Sequence, residues 1–271
     1  MVVMALLSLI VIALMGVFSS TQAAFRASVT QTDVLEGGRA AMDLISTDLR
    51  AMAPSGGTSN YYTGARNFYA EVLNVPLLVQ PLTASTQQRT NVLEQFFMLT
   101  RENQTWTGVG YLVVTNTLQN NLYALYRFSM ATNISAANGP WLLYSNFQTI
   151  SYTNSPPWSH LIDGVVGLRV RAYNPNGVWL TNGYSFGATP TLKNTTFFPS
   201  TLGEVGFFMY SNALPASVEI EMATLEDRVL QRAESRPAGP VRDQYLQGQA
   251  GTLHIFRQRV AIPMVDPAAY Q

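Results

Sequence analysis

Residues Met1–Phe25 read MVVMALLSLIVIALMGVFSSTQAAF and contain no charge; as far as Phe18, only Ser8 and Gly16 interrupt strongly apolar side chains and alanine. A bilayer core is crossed by ~20 apolar helical residues, so this run predicts a transmembrane helix over 1–25. A buried core helix is rarely apolar on every side for so long. A cleaved signal peptide would use small residues such as Thr21-Gln22-Ala23 near its cut, but the basic segment that precedes such a run is missing. The expectation is a retained span. Arg26, the first charge, is too little to set its orientation.

From Phe25 the pattern turns amphipathic without a strong helix breaker. Leu35, Gly38, Met42, Ile45, Leu49 and Met52 recur at steps of three and four, with Asp33, Glu36, Arg39, Asp43, Asp48 and Arg50 between them. Pro54 and Ser55-Gly56-Gly57 stop the run. Met1 to about Ala53 therefore predicts one helix, ~80 Å long at ~1.5 Å per residue. Its segment 26–53 has a single face to bury, formed by Leu35, Met42, Ile45, Leu49 and Met52. The acidic residues between them are expected to face solvent.

Beyond Gly57 the composition shifts to Asn, Thr, Ser, Gln and Tyr, and no charge occurs from Phe128 to Ile162. Short alternating runs bounded by Asn, Gly and Pro replace the helical period, which is the signature of strands. Gln95–Thr100, Tyr111–Thr115 and Leu122–Met130 are strand candidates, the last two forming a hairpin. Val166, Leu168, Val170 and Ala172 make one face of another, and Val218, Ile220 and Met222 alternate with Glu219 and Glu221. Thr252–Ile262 predicts a final strand, and Thr224–Arg236 a short helix. The fold class expected is α+β: a long N-terminal helix packed on a β-rich antiparallel head, 54–271.

The 271 residues balance 16 basic against 16 acidic side chains, and charged residues are 12% of the chain, half the usual share. A neutral, charge-poor chain is a poor polyanion binder, which argues against a nucleic-acid partner. Cysteine is absent, which removes disulfides, thiol catalysis and thiolate metal sites.

A polar head with a membrane-length helix is similar to the type IV pilin-like proteins. The closest likeness is to the J-type minor pseudopilins of type II secretion and the PilW-like minor pilins. The carrying residues are MVVMALLSLIVIALM, Glu36-Gly37-Gly38-Arg39, Met42 to Arg50, Leu161-Ile162-Asp163-Gly164-Val165, Tyr173 to Trp179, Leu214 to Ile220 and Ile255 to Val260. The family's basic leader, cut-site glycine and fifth-position glutamate have no counterpart here, and the alignment places Met1 about one residue past that glutamate. The expectation is a true start upstream. The resemblance implies a non-enzymatic, pilin-like subunit of a type IV pilus or secretion pseudopilus. Such a subunit is held in the inner membrane by a single pass before assembly, with its head in the periplasm or outside. Leu6, Leu9, Ile10, Ala13, Leu14, Gly16 and Val17 would pack against other pilin or pseudopilin subunits, and the head could contact a secreted cargo.

Two other classes stay open. Gly183-Tyr184-Ser185-Phe186-Gly187 matches G-x-S-x-G, and Asp227 or Asp243 before His254 gives a hydrolase chain order. The strand–turn–helix context that an elbow needs is not visible around Ser185, so a surface loop is expected. Trp106, Trp141, Trp158 and Trp179 would suit a carbohydrate-binding module, although tryptophan more often packs in cores. His160 and His254 lie far apart, and Glu219, Glu221, Glu226 and Asp227 lack the spacing of a calcium loop. No cofactor or metal is expected.

Overall fold

The computed structural model describes the backbone of residues 2–56, 64–81, 87–114, 122–135, 138–153, 156–181 and 193–270. It describes the side chains of all of these except 2, 3, 5, 6, 8, 9, 23, 24, 26–33 and 199. Helix α1 (Val2–Arg50) is followed by β1 (Arg66–Val72), β2 (Leu78–Pro81), β3 (Gln88–Asn91), β4 (Glu94–Glu102), β5 (Thr105–Val114) and β6 (Tyr123–Asn133). Then come α2 (Gly139–Thr149), β7 (Trp158–Tyr173), β8 (Thr195–Pro199), β9 (Val205–Tyr210), β10 (Ser217–Leu225), α3 (Asp227–Glu234), α4 (Pro240–Gln247) and β11 (Leu253–Ala261). Nine strands form one antiparallel sheet in the order β11-β10-β7-β6-β5-β4-β1-β9-β8, and β2 pairs with β3 apart from it.

Side-chain alternation gives this sheet two apolar faces. Phe68 and Ala70 of β1, Phe96 and Met98 of β4, and Val109, Tyr111 and Val113 of β5 point to the inner face. They are joined there by Phe207 and Met209 of β9 and by Val218, Ile220 and Met222 of β10. Their neighbours Tyr69, Phe97, Leu99 and Phe208 point outward, against Leu143 and Phe147 of α2. Gly108 and Gly110 let α2 come this close, because a methyl group on Gly110 would overlap the Phe147 ring.

The sheet is curled. β7 is long enough to serve two neighbours: its first half pairs with β6, and beyond the bulge at Gly164 (φ +72°) it turns toward the start of β4. There the Leu168 amide donates to the Val92 carbonyl at 2.9 Å, across a parallel bridge between Leu93 and Leu168. Glu204, just before β9, closes the same side by accepting from Arg171 at 2.7 Å and 3.1 Å.

The last turns of α1 lie inside the curl. Met42, Ile45 and Leu49, with Met52 just beyond the helix, are buried in the inner cluster, while Leu35, expected on the same packing face, is half-buried and lies outside that cluster. Asp43 is exposed, but Asp48 is not free in solvent. Its carboxylate accepts a forked pair from Arg127 of β6, Nε at 2.8 Å and Nη2 at 3.0 Å, and also the hydroxyl of Tyr111. Burial, and then the Asp48 charge, push the Tyr111 phenol well above its ordinary range.

Several expectations are corrected by this architecture. The chain is mostly β, with 42% in strands, rather than α+β with a long helix packed on a head. Helical periodicity is conspicuous in the sequence, whereas β1, β8 and β9 lack a clean period of two because both of their faces carry apolar residues. The first helical stretch described in full, 10–22, is short. Among the described residues no helix is long and apolar enough to cross a membrane. The transmembrane reading of 1–25 falls with that, and so does the single-pass inner-membrane placement.

Asp48→Asn breaks a largely buried charge pair and should lower stability by about 1–3 kcal/mol. Asp43→Asn should stay within ~0.5 kcal/mol. Gly110→Ala should also destabilise, by about 1–3 kcal/mol, through overpacking against Phe147. Thermal or urea unfolding of the three variants checks the order; equal stability of the two aspartate variants would remove Asp48 from the helix–sheet lock.

Candidate functional site

Among the described residues, the apolar side chains of the uncharged first half of α1 are left open. Met4, Leu7, Ile10, Val11, Ile12, Leu14, Met15, Val17, Phe18 and Phe25 are between 44% and 75% exposed. At 100° per residue, Ile10, Val11, Ile12, Leu14, Met15, Val17 and Phe18 take up most of the circumference and the small residues Ala13 and Gly16 fill the rest, so no polar face is left for water. The hydroxyls that follow turn back on the helix: Ser20 and Thr21 both donate to the Val17 carbonyl at 2.9 Å. Of the residues expected to pack against other helices, Ile10, Ala13, Leu14, Gly16 and Val17 are exposed, and the side chains of Leu6 and Leu9 lie outside the described residues. A Cβ on Gly16 would meet nothing within 4 Å, so the helix backbone is open to close approach there.

The other candidates are not brought together. Ser185 and its flanking glycines Gly183 and Gly187 lie outside the described residues. His254 on β11 faces Glu226 at 3.4 Å, a carboxylate that the hydrolase pattern did not include. Asp227 and Asp243 sit in the first turns of α3 and α4. His160 and Asp163 pair at 2.9 Å on the exposed start of β7. Glu219 and Glu221 are both engaged by arginines. Arg257 reaches Glu219 at 2.7 Å, and Arg89 and Arg169 reach Glu221 at 3.0 Å and 3.3 Å. Among the described residues no group of three or more His, Asp or Glu side chains could hold a metal. Trp106 and Trp158 are buried against α2, and Trp179 lies under the Arg171 guanidinium, so these tryptophans form no shared platform.

Glu94, which the sequence reading passed over, is a fully buried acid at the seam between β4 and β7. One carboxyl oxygen accepts the Val170 amide, and the other has no partner. Burial, against the lowering effect of that amide and with a further push from the Glu204 charge, raises its pKa to about 8. Arg169 and Arg171 are held by Glu204 rather than by Glu94. Glu94 thus sits in the fold as a neutral acid tying two strands, with no histidine or nucleophile beside it in the seam just described. The sequence signal was slight: an acid at the head of a strand whose next residues include the apolar run Phe96-Phe97-Met98-Leu99.

Asp48 was legible and missed. It stands three residues after Ile45 and four before Met52, on the flank of the apolar stripe, while Asp43 lies on the opposite side.

No protein-family model, no curated protein and no solved structure matches this chain.

A carboxyl protonated in the fold up to about pH 8 holds a proton that the unfolded chain releases from about pH 4.5 upward. Its contribution to stability is full below the unfolded value and is lost as the pH rises through the folded one. Urea unfolding between pH 5 and 8.5 should show the native protein weakening relative to Glu94→Gln as the pH rises. Parallel profiles would mean that Glu94 is ionised in the fold.

Proposed function

We propose that the chain is a non-enzymatic structural subunit that assembles by packing the apolar half of α1 against the first helices of neighbouring subunits. A type IV pilus or a type II secretion pseudopilus, the assemblies its sequence resembles, is where such a subunit belongs. The observation that carries this reading is the uncovered segment from Ile10 to Phe18, apolar around its whole circumference and standing outside the inner cluster of the sheet. An apolar surface of this kind is stabilised when it is covered, and helices offering similar surfaces cover one another by van der Waals packing and removal of water. Gly16 supplies the point at which two backbones can approach most closely. The globular part then projects from the packed helices. Met42, Ile45 and Leu49 tie it to α1 without consuming the surface that neighbours would use.

The chain has no cysteine, so an introduced thiol is the only one present. Val17→Cys in the full chain should give disulfide-linked dimers on mild oxidation. Val241→Cys, on the exposed side of α4, should not. Adding Leu14→Asp to Val17→Cys should abolish the dimers while leaving the melting temperature within about 2 °C, because Leu14 touches none of the core. Absence of Val17→Cys dimers, or their persistence with Leu14→Asp, would overturn the assembly reading.

A further inference from the structure

The sheet has two unequal ends. β8 is five residues long and closes on Pro199, which has no amide to offer a further strand. β11 runs nine residues, Leu253–Ala261, pairs with β10 along its entire length without a bulge, and contains neither glycine nor proline. The phase of that ladder is fixed by Ile262, whose amide donates to the Ala216 carbonyl at 3.0 Å. In an antiparallel pair this direction alternates, so the amides and carbonyls of His254, Phe256, Gln258 and Val260 face β10. Those of Leu253, Ile255, Arg257, Arg259 and Ala261 face away from the sheet. Among the described residues nothing bonds to these outward groups.

Edges of this length are commonly blunted by charged side chains that hang over them. On β11 the two arginines lean the other way. Arg257 reaches back to Glu219 of β10 at 2.7 Å. Arg259 donates to the Ser217 hydroxyl at 2.9 Å and lies with its guanidinium 3.8 Å from the centre of the Tyr173 ring. Ile255 is half exposed on the same side, and on the opposite side Phe256 is pressed against Gly38 of α1, which backs the strand from within. β11 carries two arginines, one histidine and no acid, and among the described residues Arg259 has no carboxylate partner.

We propose that the outer edge of β11 takes an extended acidic segment of a neighbouring protein as a tenth strand. The outward amides and carbonyls supply the ladder. The cross-strand position beside Arg259 favours a carboxylate, the exposed Arg257 can share its charge between Glu219 and a second one, and the position beside Ile255 favours an apolar side chain. The surface is separate from the apolar half of α1, so the proposal stands or falls without the assembly reading.

The test follows amide hydrogen exchange in the full chain with a millimolar blocked heptapeptide, Thr-Val-Glu-Val-Glu-Val-Ile, whose last residue falls beside Ile255 when it pairs antiparallel, and with the same peptide carrying Lys in place of Glu. The acidic peptide should slow exchange at Ile255, Arg257 and Arg259 at least tenfold and leave Phe256 and Val260, already in the ladder, unchanged. The lysine peptide should not slow it. Ile255→Pro removes one outward amide and should abolish the slowing at Arg257 and Arg259, whereas Ile255→Thr, which keeps it, should not. Should Ile255→Pro fail to fold, Arg257→Glu combined with Arg259→Glu gives an independent answer by exchanging the preference of the two peptides. No slowing by the acidic peptide, equal slowing by both, slowing that survives Ile255→Pro in folded protein, or an unchanged preference in the double variant would each overturn the proposal.

Discussion

A curled sheet encloses a space that strands alone cannot fill, and here the space is occupied by the end of a helix. Met42, Ile45, Leu49 and Met52 meet inward-facing side chains from β1, β4, β5, β7, β9 and β10 in one continuous cluster. Without those side chains the curl would enclose a void lined by Phe68, Phe96 and Tyr111, and close packing is what makes such a core stable. The closure of β7 onto β4, the approach of Glu204 to Arg171 and the position of β11 against Gly38 all presuppose a helix of this diameter inside the sheet.

The polar groups follow from the same geometry. Asp48 enters the cluster on the flank of the helix and is matched by a forked guanidinium and a phenol hydroxyl, so the buried charge is fully engaged. Glu204 is matched by Arg169 and Arg171 in the same manner at the closing side of the curl. Glu94 has no such partner and keeps its proton instead, which is how a lone buried acid avoids carrying charge away from water.

How much of this was readable in the sequence depended on whether one local period governed a segment. The stripe Met42–Ile45–Leu49–Met52 and the alternation Val218–Ile220–Met222 each answer to a single partner surface, and each shows a clean period. The strands with apolar residues on both faces, such as β1 and β9, show none, and the strand content was underestimated for that reason. α2 was invisible: GPWLLYSNFQT has no charge and no side-chain cap, and it is held by Leu143 and Phe147 settling over two glycines of a distant strand. The curl itself depends on a bulge at Gly164 and on a bridge between residues 75 positions apart, neither of which leaves a local trace. The candidate surface on α1 was legible because composition alone defines it. Its environment was not, because composition alone does not say what covers an apolar helix surface.

The embedding of α1 also has a mechanical side. A pull along the axis of this helix would enter the sheet at its interior, through the Ile45–Leu49–Met52 contacts and the Asp48–Arg127 fork, and not at a free edge. Load introduced there is shared among strands on both sides of the helix, so many contacts must slip together before any one strand is drawn out. Edge strands peel one hydrogen bond at a time under tension. A plug seated inside a curl resists as a unit, and the globular part of this protein is built to be carried by its helix.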